Sequence, residues 1–201
     1  MKKLIAALLT SCMVIAPVCV MAETAETSET SETSAASEAA EAVELNWADV
    51  AGAEEAKELI DSGEFVVFDE IACKFWVPSV LEAQELTDED TEEGYIGYFT
   101  TEEEDAVASV MLVDVDGMTL EEYKAELEGM DDVSGVADAV INGMECVGYD
   151  VEDDDVTCVA FATESGSILE FTFYPASDED FSSVAAVMMA SIMPEDGEET
   201  A

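Results

Sequence analysis

Five cysteines, fifty carboxylates and no histidine set what chemistry this chain can attempt. Cys146 and Cys158 flank an acidic loop formed by Asp150, Glu152, Asp153, Asp154 and Asp155. If that loop folds symmetrically about Glu152, the two cysteines face each other across an antiparallel pair and could close a cross-strand disulfide. Loop entropy makes such a bridge worth about 3 kcal/mol. The competing reading is two small buried thiols, a role free cysteine fills readily. Cys73 is then the odd one and is expected in the core, because an activated thiol needs a basic partner and the chain contains no imidazole.

The same loop, Asp150, Glu152, Asp153, Asp154 and Asp155, is the densest candidate for a hard cation. Calcium takes oxygen ligands, and extracellular sites for it can be weak. A solvated hairpin loop is the alternative. Asp114-Val115-Asp116-Gly117 has part of the spacing of an EF-hand loop, but Leu112 stands where the first Asp belongs and Tyr123 where the closing Glu belongs. It reads as a strand-to-helix turn. No cofactor is implied beyond a weakly held Ca2+.

Other chemistries are closed by residue type. Without histidine there is no Ser–His–Asp or Cys–His pair and no imidazole zinc site. The sequence has no arginine, hence no guanidinium clamp, and neither a GxGxxG nor a P-loop pattern. Two carboxylates could run a glycosidase, although fifty acids make any one pair uninformative. The formal charge of −45 leaves no cationic face for a phosphate backbone or for anionic lipid headgroups. Nucleic acid and direct binding to an anionic membrane surface are therefore excluded as partners.

The chain begins as an export signal. Lys2 and Lys3 form a charged start, residues 4–20 are uncharged and largely apolar, and Val20-Met21-Ala22 offers a small-residue cleavage site, giving a signal over residues 1–22. Retention as a membrane anchor and lipidation at Cys12, within Leu9-Thr10-Ser11-Cys12, are the alternatives. Residues 23–43 repeat Glu-Thr-Ser and then Ala, Ser and Glu. Lacking large apolar side chains, they are expected as a disordered tether spanning roughly 25 Å. A single domain over residues 44–193 follows, then an acidic, frayed tail over 194–201.

Within the domain, the apolar spacing of Trp47, Val50, Ala53, Ala56, Leu59 and Ile60 predicts one helix, capped by Asn46 and ended by Gly63. Phe65–Phe68 and Ile71–Val77 read as strands, with Asp69-Glu70 turning between them and Pro78 ending the second. The polar stretch up to Gly94 reads as loop. Tyr95–Thr100 and Ala106–Val115 read as the next two strands. Thr119 and Glu122 have capping-box spacing for a helix bearing Leu120, Tyr123, Leu127 and Met130. A short strand over Val136–Ile141 leads to Asn142-Gly143, a type I′ hairpin dipeptide. Strands follow over 144–149, 156–163 and 168–174. A last helix starts at Ser177-Asp178-Glu179-Asp180, with Phe181, Val184, Ala185, Met188 and Ile192 on one face.

This order predicts an α+β fold, an antiparallel sheet packed against helices. Three features carry a resemblance over residues 44–193: Phe75-Trp76-Val77-Pro78 ending an early strand, the Asn142-Gly143 hairpin, and Phe171–Pro175 leading to the closing helix with Ser191-Ile192. In these the chain resembles the PsbP-like α/β/α sandwich of the extrinsic photosystem protein and of many small exported bacterial proteins. It is especially similar to exported proteins of anaerobic Gram-positive bacteria. The resemblance implies architecture only. Photosystem members use histidine among their metal contacts and this chain has none, so no site residue is carried over. The expected function is an exported, non-catalytic binding or interaction domain, secreted or held at a bacterial cell surface, with a protein or envelope component as partner. A weak extracellular Ca2+-binding protein and a carboxylate-dependent glycosidase are the alternatives.

Overall fold

The computed structural model describes residues 42–196 except residues 55 and 70. The expected signal over 1–22, the tether up to residue 41 and the tail from residue 197 lie outside the described residues. β1 (Val43–Leu45) already belongs to the sheet, so the domain takes in the last residue assigned to the tether. The single helix expected from Asn46 is two short ones, α1 (Trp47–Ala51) and α2 (Lys57–Ile60). Gly52 closes the first, its N–H bonding the Ala48 carbonyl at 3.0 Å while the Ala53 N–H bonds that of Val50, as suits its low helix propensity. Gly63 is not a helix cap but the first residue of β2 (Gly63–Phe68). A Cβ there would stand 2.3 Å from the Val77 carbonyl oxygen and 2.6 Å from the Trp76 indole, so only glycine admits the close approach.

β3 (Cys73–Pro78) and the two-residue β4 (Glu82–Ala83) follow. The stretch expected as loop contains α3 (Asp88–Glu92). Thr87 accepts from the Asp90 N–H, and the Asp90 carboxylate takes the Thr87 N–H at 2.7 Å. This is a capping box built with Asp in place of the usual Glu or Gln. β5 (Tyr95–Thr100) and β6 (Val107–Val113) lead to α4 (Leu120–Leu127), whose Thr119–Glu122 box forms as its spacing predicts. Asp116 and Gly117 take φ of 53° and 79° in the turn before it. β7 (Val133–Ile141) is longer than expected, with a bulge that places Gly135 at φ 64°. β8 (Met144–Val151), β9 (Val156–Ala162) and β10 (Ile168–Tyr174) complete the meander. α5 (Glu179–Ala190) is capped by Asp178, and β11 (Met193–Pro194) closes the chain against β3. Pro194 and Glu195 are thus held, not frayed: the Glu195 N–H bonds the Ala72 carbonyl.

The fold is α+β, with two sheets. Eight strands run in the order β1-β7-β8-β9-β10-β6-β5-β4, and β11-β3-β2 form a smaller sheet. All pairs are antiparallel except β1 with β7. One face of the large sheet packs on the small sheet and α5, burying Phe75, Phe99, Phe161, Phe171, Phe173 and Met188. Its other face packs on α4, burying Leu127, Val147, Tyr149, Cys158, Ala160 and Ile168.

The cysteine register corrects the expected bridge. Val151 stands opposite Val156, so the acidic turn is centred between Asp153 and Asp154 and not on Glu152. An odd slip in register flips side chains to the other face. Cys158 therefore stands across from Tyr149 on the α4 face, and Cys146 across from Ala139 on the opposite face. Cys73, Cys146 and Cys158 are free and buried.

Asn142 ties the segments around Leu45–Trp47 and Ala190–Ile192 to the meander. Its N–H bonds the Leu45 carbonyl at 2.9 Å, its Oδ1 accepts from the Trp47 N–H at 2.7 Å, and its Nδ2 donates to the Ala190 and Ile192 carbonyls, each at 2.8 Å. Asn46, at the head of α1, makes no side-chain cap bond. We predict that Asn142→Gly, which keeps the φ of 49° easy while deleting three side-chain bonds, lowers unfolding free energy by about 3 kcal/mol. Urea unfolding measures it, and a loss below about 1 kcal/mol would show the side-chain bonds to be dispensable.

Candidate functional site

The β2–β3 register sets Glu64 opposite Val77, Val66 opposite Phe75 and Phe68 opposite Cys73. Alternation puts these six side chains on one face of the small sheet. That face meets the large sheet through Phe75, whose ring centroid lies 5.6 Å from Phe99 and 5.2 Å from Phe171. Beyond this contact the two sheets part between β2 and the β4–β5 edge, leaving a cleft of about 580 Å³. Buried Val77, Leu81 and Phe99 give it an apolar floor, and exposed Asp61 and Glu64 stand at its rim. A second hollow of about 430 Å³ shares Val66, Ala83 and Phe99 with the first and continues past Phe68 and Asp69. Gly97 lets the strands come this close: a Cβ there would stand 2.8 Å from the Phe68 ring. No lysine lines either hollow. Such a surface suits a ligand with an apolar stem and a cationic end.

A polar cluster occupies the opposite face, beside α4. Glu170 accepts from the Tyr123 hydroxyl at 2.9 Å and, more tightly, from the Tyr149 hydroxyl. Burial first, and then the Glu170 charge, push both phenols well above their ordinary range. A bulge in β5 brings Tyr95 and Tyr98, three residues apart, onto this same face with ring centroids 6.3 Å apart. Both hydroxyls beside Glu170 are donors to it, so the cluster reads as a satisfied network under a helix.

Among the described residues no three or more Asp, Glu or Cys side chains are grouped so as to hold a metal ion. The acids expected to attract Ca2+, Asp150, Glu152, Asp153, Asp154 and Asp155, lie at the end of β8 and in the β8–β9 turn. Asp150 is in β8 beside Gly135, and Glu152–Asp155 span the turn. The Asp155 carboxylate is taken by the Ser177 N–H at 2.8 Å and its Oγ at 2.7 Å. The thiols are not poised as nucleophiles either: burial pushes Cys73 up to about 11, and Cys146 and Cys158 each up to about 12. Asp61 and Glu64 were not legible as site residues. Their one signal is an acid interrupting the apolar run Phe65–Phe68 at its start, and the cleft itself comes from strands distant in the chain.

No family model and no curated protein matches this chain. Among solved structures it is similar to cyanobacterial PsbP (CyanoP) from Synechocystis sp. PCC 6803, with a TM-score of 0.47 and 13% identity over 66% of this chain and 92% of that one. A superposition at that level carries no argument about the site, and the α+β architecture is read from the strand pairing itself.

The raised phenols and thiols make stability depend on alkaline pH. Each group holds its proton longer folded than unfolded, so its contribution is complete below the unfolded value and is lost as pH rises through the folded one. The ordinary values are 9.0 for the thiols and 10.0 for the phenols. We therefore expect the urea midpoint to fall as pH rises above 9 and to keep falling up to about 12, where Cys146 and Cys158 titrate folded. In Glu170→Gln, the two phenols should ionise at lower pH than in the parent yet still above 10.0, because burial is the larger cause. Phenolate absorbance reports this; a profile identical to the parent would remove the carboxylate from the account.

Proposed function

We propose that this chain is an exported, non-catalytic binding domain whose cleft takes cationic groups of a partner at or outside the cell surface. The observation that carries the reading is the pairing of an apolar floor, Val77, Leu81 and Phe99, with rim carboxylates Asp61 and Glu64. The surrounding charge reinforces it: a chain at −45 draws cationic partners from a distance and turns away acidic ones. Nucleic acid and anionic lipid surfaces are repelled by the same field, which leaves a protein or an envelope component as the partner. Secretion or surface attachment rests on residues 1–22, with lipidation at Cys12 or retention of the apolar segment as the other routes to the same side of the membrane. The want of imidazole and the protonated, buried thiols support a non-catalytic role. Two acids beside one cleft are also what a carboxylate-only glycosidase requires, and this is the competing reading.

Titration of the chain from residue 23 onward with short poly-lysine tests the proposal. Asp61→Asn with Glu64→Gln should weaken binding about tenfold at fixed ionic strength, the scale of two partly exposed charge pairs. Glu152→Gln with Asp154→Asn, on the remote turn, should change it little. Equal losses from both pairs would mean diffuse attraction and no site. Turnover of a glycan substrate that Glu64→Gln abolishes would establish the glycosidase instead.

A further inference from the structure

The four sheet edges are treated unequally. β1 has three residues, β4 two, and β11 two with a proline. Short edges of this kind are a common protection against unwanted strand pairing. β2 is the exception. It runs six residues, Gly63–Phe68, without proline, and pairs with β3 in unbroken register. Nothing pairs with its other side among the described strands.

Which backbone groups it presents follows from its neighbours. The Ser79 N–H bonds the Ser62 carbonyl, so that pair belongs to the β2–β3 ladder. The Trp76 N–H points the other way, to the Ser191 Oγ at 2.7 Å. Antiparallel pairs alternate between bonded and non-bonded. Glu64, Val66 and Phe68 therefore bond β3, and Gly63, Phe65 and Val67 direct their N–H and C=O outward. Val67 is 45% exposed. The cleft and its continuation run along this edge from Asp61 to Asp69, with acids at both ends.

We infer that β2 is a docking edge that takes an extended, basic segment of a partner protein as an added strand, its backbone bonding Gly63, Phe65 and Val67 while its side chains enter the acid-rimmed cleft. This deepens the cleft reading and rests on it. Strand addition supplies backbone bonds irrespective of sequence, and pockets beside the edge select alternate side chains. Here the pockets select apolar and cationic ones. A second copy of this chain is the wrong occupant, since it would bring the same Asp61, Glu64 and Asp69 against themselves within a molecule of charge −45.

The test uses the chain from residue 23 onward and an end-capped eight-residue peptide of alternating Val and Lys, with a twin of the same charge N-methylated on alternate amides. The parent peptide should bind about tenfold more tightly than its twin, the scale of a lost backbone bond. Hydrogen exchange at Phe65 and Val67 should slow on binding, while the amides of Val66 and Phe68, already in the ladder, stay unchanged. Val67→Pro, which removes an outward donor and spares the ladder, should weaken binding as N-methylation does; Val67→Thr should not. Equal binding of parent and twin peptide overturns strand addition and leaves the cleft a site for cationic groups, and it does so even if Val67→Pro fails to fold. Failure of both peptides and of poly-lysine removes this inference and the cleft reading together. A dimer that protects Phe65 and Val67 without peptide would assign the edge to a second copy and overturn the proposal.

Discussion

The fold turns on how an aromatic side chain joins its two sheets. Phe75 is fully buried, stacked on Phe68 at 5.8 Å within the small sheet and set edge-on against Phe99 and Phe171 of the large one. Contacts of this geometry contribute about 0.5–1.5 kcal/mol each beyond the area they bury. On its far side β3 is fixed by β11 at Cys73 and Lys74 and by the Trp76–Ser191 bond. Its outer strand β2 overhangs that joint. Because β4 is only two residues long, the large sheet does not extend to meet it. The cleft is thus a consequence of how the two sheets pack.

A chain this acidic folds because its carboxylates stay at the surface. No Asp or Glu is among the buried polar side chains of the described residues, which are Lys74, Thr100, Ser109 and Ser191. Glu170 is half-buried, and two phenol hydroxyls supply the hydrogen bonds that its lost water would have made. Lys74 is covered as well, its ammonium 5.5 Å from the Phe65 ring centroid.

Local sequence signals suffice where local contacts decide the outcome. The Asn142-Gly143 turn, the Thr119–Glu122 box and the Asp178 cap each form within a few residues of their own chain. They do not suffice where distant residues decide. The side chain that caps the head of α1 is that of Asn142, 95 residues from Trp47, and not that of the adjacent Asn46. The β8–β9 register follows a turn in which Asp155 takes φ 55° and is latched to Ser177; nothing inside Asp150–Asp155 announces it. The small sheet needs β11 from one end of the domain and β2 and β3 from the other, so neither the cleft nor the open edge has a contiguous signature.

The Asn142-Gly143 step has a chemical side that its turn geometry brings with it. An asparagine followed by glycine is the sequence most open to succinimide formation: the Gly143 nitrogen attacks the side-chain carbonyl carbon, ammonia leaves, and hydrolysis yields aspartate or its backbone-shifted isomer. In the folded protein the amide is held by Trp47, Ala190 and Ile192, which restrains the rotation that attack requires. Once the turn opens, the reaction replaces the Nδ2 donor with an oxygen that would face two carbonyls, and the turn cannot re-form its bonds to Ala190 and Ile192. Ageing of this protein should therefore begin at its tightest knot, and each excursion from the native state should be recorded there as a permanent loss.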